Sequence, residues 1–218
     1  MDLKNIPDIR NRIIKEEDYF FNNSKLNEIK GILISSEEYS NRMKEIGNKI
    51  KNEYSNKNPI FLYVLNGSAK MHNFLFGHLN YETFPHKQIY ASVKSTKGIE
   101  TGKAKCSNEI YEAISLMENK DILIFEDIID SGGTIKLILD LINQNNIKVK
   151  SLSICTATFK IDQLKDKNKD ILKYLNYIGF IVPNEWIVGR GLDLDNKYRD
   201  LKDICVLSDE TIKKYRNN

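Results

Sequence analysis

At 218 residues the chain is long enough for one domain with a substantial core, which would hide roughly 70% of the surface the unfolded form exposes. Hydrophobic residues make up 41% and charged residues 29%, and 4 Pro with 11 Gly exclude collagen-like and low-complexity classes. A net charge of +3, from 33 Lys plus Arg against 30 Asp plus Glu, lacks the one-sided basic excess of a nucleic-acid or membrane surface. Neither partner is expected.

The first 30 residues are polar apart from Tyr19-Phe20-Phe21 and read as an arm or a short lid. Ser35, with Glu38 three residues on, forms a capping box. Tyr39, Met43, Ile46, Ile50 and Tyr54 then recur at three- and four-residue steps, which predicts an amphipathic helix over 36–54. Asn58-Pro59 breaks the chain, and the continuous apolar run Ile60 to Leu65 reads as a buried strand. Asn66-Gly67-Ser68 makes a turn into a helix over 69–79, and 89–93 reads as a strand. Lys94 to Asn108 is polar, carries Gly98 and Gly102, and is too long for a tight turn; it is expected to act as a lid. A strand at 121–125, a helix from near Thr134 and a strand at 151–158 follow. Strand and helix in this alternation predict an α/β fold with a mostly parallel sheet flanked by helices. After Lys160 a charged segment runs to Lys173, then short strands at 177–182, 186–188 and 204–207 are expected to form a small subdomain beside the sheet.

Cys106, Cys155 and Cys205 are odd in number, widely separated and without a C-x-x-C pair, so a reducing, cytoplasmic compartment is expected. His72, His78 and His86 lack the i, i+4 spacing of a helical zinc site. The N-terminus is charged and without an apolar core, so no signal peptide is expected, and no apolar run nears the ~18 residues of a membrane span.

The informative stretch is Ile122-Leu123-Ile124-Phe125-Glu126-Asp127-Ile128-Ile129-Asp130-Ser131-Gly132-Gly133-Thr134. A buried strand ends in two carboxylates, passes through Asp130, and enters a Gly-Gly turn from which a helix starts. Ligands of parallel sheets sit beyond the carboxyl ends of the strands, so this loop faces the expected site. Gly132 and Gly133 allow close backbone approach, and the helix start offers unpaired N–H groups and a positive dipole end. With the Ser131 and Thr134 hydroxyls, these make a cradle for one phosphate. Carboxylates repel phosphate but accept from hydroxyls or bind a metal, which points to a sugar phosphate. Acidic residues before a Gly turn are also ordinary helix-entry chemistry, and Asp130 as a simple cap is the competing reading. G-x-x-x-x-G-K-[ST] and G-x-G-x-x-G are both absent.

The string from Ile124 to Thr134 resembles the phosphoribosyl-pyrophosphate signature of type I phosphoribosyltransferases, and further matches narrow the resemblance to the hypoxanthine-guanine phosphoribosyltransferase family. Leu65-Asn66-Gly67-Ser68 is similar to the family's pyrophosphate loop, which implies a non-proline cis peptide at Leu65–Asn66. Ser151 to Thr156, followed by Lys160, resembles the strand leading to the lysine that contacts the purine. Pro183-Asn184-Glu185-Trp186-Ile187-Val188-Gly189, Gly191-Leu192-Asp193 and Tyr198-Arg199-Asp200-Leu201 are similar to the family's hood. The resemblance runs in order from about Ile34 to Leu207.

It implies a type I phosphoribosyltransferase fold as one domain over 1–218, with a core at about 55–160 and a hood from about 1–35 and 161–218. The implied reaction transfers ribose 5-phosphate from phosphoribosyl pyrophosphate to a 6-oxopurine, with Mg²⁺, in a homo-oligomer (dimer or tetramer). Asp130 is then the proton acceptor, and Asp130 to Thr134 bind the 5′-phosphate. Glu126 and Asp127 take the ribose and Mg²⁺, with Asp193 as a further metal residue. Leu65, Asn66, Gly67 and Arg199 face pyrophosphate, while Lys160, Trp186, Ile187 and Asp193 face the purine. Two departures stand out: Asn66 occupies a position that is usually basic, and Val93 to Gly98 lacks the usual Ser-Tyr pair. A non-catalytic regulator that senses phosphoribosyl pyrophosphate or a nucleotide on the same fold is the alternative.

Overall fold

The computed structural model describes residues 5–14, 19–21, 24–76, 79, 81–82, 84–94 and 105–216. In chain order these form β1 (Phe20–Phe21), β2 (Ser24–Lys25), β3 (Ile29–Ile34), α1 (Ser36–Tyr54), β4 (Ile60–Leu65), α2 (Ser68–Phe76), β5 (Lys87–Lys94), β6 (Lys105–Cys106) and α3 (Asn108–Ser115). They continue with β7 (Asp121–Ile129), α4 (Gly133–Gln144), β8 (Ser151–Phe159), 3₁₀ turns at Ile161–Gln163 and Asp166–Lys173, β9 (Leu175–Ile181), β10 (Ile187–Val188), β11 (Ile204–Leu207) and α5 (Asp209–Arg216).

The main sheet has the order β6-β5-β4-β7-β8-β9 and is parallel from β5 to β9, with β6 antiparallel at one edge. Its strands are buried on both faces, which is why they read as unbroken apolar runs. Phe61, Tyr63, Leu123 and Phe125 face the α1 and α2 side, packed with Met43, Ile46, Met71 and Leu75. Ile60, Leu62, Val64, Ile122 and Ile124 face the α3 and α4 side, with Ile110, Ile114 and Ile138. The period-two alternation of strands thus fills two separate cores.

Helix α1 carries Tyr39, Met43, Ile46, Ile50 and Tyr54 on its buried face. The Ser35 hydroxyl accepts from the Glu38 N–H at 3.2 Å, while the Glu38 carboxylate turns to Arg12 instead of closing the box. Strand β9, expected in the tail subdomain, is the edge of the main sheet, so that sheet runs to Ile181, past residue 160. Pro7 and Ile9 exchange backbone hydrogen bonds with Ile181 beyond this edge, so the described part of the N-terminal arm covers it. A second sheet, β10-β11-β3, joins the N-terminal and C-terminal segments.

Of the expected lid, 95–104 lie outside the described residues. Its described flanks pair as Val93 with Cys106 and Lys94 with Lys105. Cys155 and Cys205 are buried. Among the described residues no helix is long and apolar enough to cross a membrane.

Candidate active site

The sheet reverses its winding at β4: β5 lies on one side, and β7, β8 and β9 on the other. Ligands of such sheets bind at this switch point, beyond the carboxyl ends of the strands. A cleft of about 430 Å³ opens there. Leu65, Asn66 and Gly67 line it from the end of β4, and Glu126, Asp127 and Asp130 from the end of β7. Lys160 enters from the end of β8, and Trp186, Ile187, Asp193 and Arg199 from the second sheet and its following loop. Ser131, Gly132, Gly133 and Thr134 are not on its wall; they continue from Asp130 into the start of α4. Ile128 and Leu192 add an apolar wall that sequence reasoning missed, since isolated aliphatic residues carry no positional signal.

The acidic pair is the most constrained part. Glu126 is buried, and its Oε2 has no hydrogen-bond partner among the described residues. Asp127 Oδ1 accepts from the Ile128 N–H at 3.0 Å. Burial, reinforced by the neighbouring Asp127, holds the Glu126 carboxyl well above the ordinary range. Asp127 is pushed up by the same burial, while its backbone hydrogen bonds, its hydrogen bond with Glu126 and, least, the Arg199 charge pull it back. The unpartnered Oε2 in a buried site suits a ligand that supplies a donor, such as a diol, or a hard cation. Gly67 packs so closely that a Cβ there would lie 1.5 Å from Asp127 Oδ2. Any side chain at that position requires the Asp127 carboxylate to move.

Asp193 does not join this pair. Its carboxylate is 2.8 Å from Arg199 Nη2 and accepts from the Asn196 N–H at 2.7 Å. Asp193 and Arg199 thus form an ion pair, although both line the cleft. Among the described residues no three His, Cys, Asp or Glu converge as a metal cage, so a set of Glu126, Asp127 and Asp193 is not assembled by protein atoms alone. Glu126 and Asp127 do fit Mg²⁺, which commonly takes one or two carboxylates together with substrate oxygens.

Lys160 is 8% exposed, so it is not a solvated surface lysine. Its Nζ lies 3.4 Å from Asp130 Oδ2, and its backbone N–H donates to the Ile129 carbonyl. Asp130 is half-exposed and does not cap α4: the cap residue is Gly132, with no side-chain cap bond. The Leu65–Asn66 peptide is cis, as the resemblance implies, and Asn66 is exposed. Trp186 is partly buried, with its ring edge-on to Tyr215 at 5.9 Å.

The two glycines differ. Gly132 has φ +77°, and a Cβ there would meet Leu164 Cδ1 at 2.6 Å, on the side of the 3₁₀ segment and not in the cradle. A Cβ on Gly133 would meet only the Ser131 hydroxyl, at 3.6 Å. The expectation that both glycines serve close approach to a ligand thus needs correcting at Gly132, whose missing side chain makes room for Leu164. Gly132→Val should destabilise the protein by about 2–4 kcal/mol, from overpacking and left-handed strain, and thermal melting measures it. Gly133→Val should melt like the wild type yet lose affinity for a sugar phosphate in calorimetry.

The phosphoribosyl transferase domain family matches residues 35–193. The hypoxanthine-guanine phosphoribosyltransferase of Streptococcus thermophilus is 33% identical over 190 residues, covering 86% of this chain and 98% of that protein. The bifunctional TilS/HprT protein of Listeria monocytogenes is 32% identical over 87% of this chain, which spans 28% of that longer protein. A crystal structure of a Staphylococcus aureus hypoxanthine phosphoribosyltransferase is 31% identical with a TM-score of 0.69, covering 84% of this chain and 94% of that one. With this cleft at the switch point of the same fold, the chain belongs to the phosphoribosyltransferase family, alongside these hypoxanthine-guanine relatives.

Proposed function

We propose that the protein transfers ribose 5-phosphate from phosphoribosyl pyrophosphate to hypoxanthine or guanine, forming IMP or GMP and pyrophosphate as a purine-salvage enzyme. The observation that carries this reading is the Lys160 ammonium beside the Asp130 carboxylate at 3.4 Å, on the cleft that Trp186 also lines. A 6-oxopurine presents O6 and N7 side by side on one edge. O6 accepts from the lysine, and an N7–H donates to the aspartate.

In the reaction N9 bonds to C1′ as the bond from C1′ to the pyrophosphate oxygen breaks, and the base proton passes to Asp130. The Ser131 and Thr134 hydroxyls and the N–H groups from Ser131 to Thr134 hold the 5′-phosphate at the start of α4. Glu126 and Asp127 accept from the ribose hydroxyls and hold Mg²⁺, which when bound neutralises charge on pyrophosphate. Arg199 and the Leu65–Gly67 backbone face the pyrophosphate. The protein works in the cytoplasm as one domain per chain, in a homodimer or tetramer.

The test is nucleotide formation from phosphoribosyl pyrophosphate and Mg²⁺ with hypoxanthine, guanine, adenine, uracil or orotate. IMP and GMP are the expected products. No product with any base would support the sensing regulator instead, and turnover of a pyrimidine would overturn the base assignment.

A further inference from the structure

The segment after Lys160 was legible only as a charged run, yet it is fastened to the glycine loop at three points. Gly132 packs against Leu164, Ile171 and the Cβ of Asn168. Lys136 of α4 pairs with Asp170 at 3.0 Å. The third point is polar and buried: Asn168, 3% exposed, donates from Nδ2 to the Ser131 carbonyl at 2.7 Å. The Lys165 N–H reaches the same oxygen at 3.4 Å.

We infer that Asn168 is a positioning residue for phosphate binding. The inference rests on the reading of Asp130 to Thr134 as the phosphate cradle. In a trans peptide the C=O and N–H point in opposite directions. The Ser131–Gly132 peptide is trans, since the cis peptide among the described residues is Leu65–Asn66. Asn168 draws the Ser131 carbonyl toward the 3₁₀ segment, and this turns the Gly132 N–H away from that segment. Asn168 thereby aims a phosphate donor without touching the ligand. Its amide also offsets the cost of burying that carbonyl, so an apolar replacement would free the peptide to rotate.

The experiment compares wild type, Asn168→Leu, Asn168→Asp and Gly133→Val. It measures melting temperature, steady-state kinetics in both substrates, and calorimetric affinity for IMP and for Mg²⁺ pyrophosphate. Both Asn168 variants should raise KM for phosphoribosyl pyrophosphate and the Kd for IMP about tenfold. Affinity for pyrophosphate, KM for the base and saturated kcat should stay within about twofold. If Asn168→Leu does not fold, Asn168→Asp, which has the same shape but no donor, carries the comparison alone. Wild-type affinity in the Asn168 variants with loss in Gly133→Val overturns the inference and leaves the cradle standing. Wild-type affinity in all of them overturns the cradle as well. A uniform weakening of every ligand in step with melting temperature marks a merely structural asparagine and also overturns the inference.

Discussion

Replacing Asp130 with Asn should lower turnover by about 10²–10⁴-fold while both substrates still bind, the range for a lost general base. The amide keeps the shape of the side chain and can still meet the Lys160 ammonium through its oxygen, so the loop has little reason to move. What it cannot do is take the purine proton as N9 bonds to C1′. The competing reading, in which Asp130 only caps the helix, predicts a change in stability and almost none in rate. The geometry already weighs against a cap, because Gly132 occupies that position and Asp130 lies 3.4 Å from Lys160. Single-turnover rates and calorimetric affinity for phosphoribosyl pyrophosphate separate the two. A fall of less than about threefold in rate would remove Asp130 from the chemistry, since base catalysis is rarely worth so little.

Much of the fold was legible because the central strands are buried on both faces and helix α1 on one, so apolar runs and spacing mark them directly. Elements with weaker burial signals escaped. Strand β3 is six residues interrupted by Gly31, and its partner β11 lies far away in sequence. Helix α3 has two turns with Ile110, Ala113 and Ile114 buried, and α5 has no buried residue at all. Strand β9 was visible but assigned to the tail, because chain position does not reveal which sheet a strand joins. In the site, the contiguous residues from Glu126 to Thr134 stood out, whereas Asn168 did not. A buried amide inside the run Lys165 to Asp170 has the composition of a solvated face. Its role depends on a fold-back onto Ser131 that no local pattern encodes. Gly132 was misread for a related reason: sequence marks a glycine, but only the packing shows which neighbour its missing side chain makes room for.

The wild type should prefer hypoxanthine over adenine by more than about tenfold, and Lys160→Ala should erase most of that preference. An ammonium only donates, so Lys160 matches the O6 acceptor of hypoxanthine or guanine. Adenine places an amino donor at the same position, which sets donor against donor. Losing a charge-assisted hydrogen bond costs about 1.5–3 kcal/mol, and an unpaired buried group adds to it. Burial makes the mismatch hard to escape. Lys160 is 8% exposed, with its backbone tied to Ile129 and its Nζ held near Asp130, so neither water nor a swing of the side chain relieves it. Trp186 gives no such choice, because stacking serves any base with a π face. Trp186→Ala should therefore weaken all bases together, whereas Lys160→Ala should penalise 6-oxopurines alone. Guanine should be used beside hypoxanthine, with its exocyclic amine donating to the Ile187 carbonyl or the backbone near Asp193. Competition among hypoxanthine, guanine and adenine in the three proteins decides the matter. Efficient use of adenine by the wild type, or unchanged selectivity in Lys160→Ala, would show that another residue reads the purine edge.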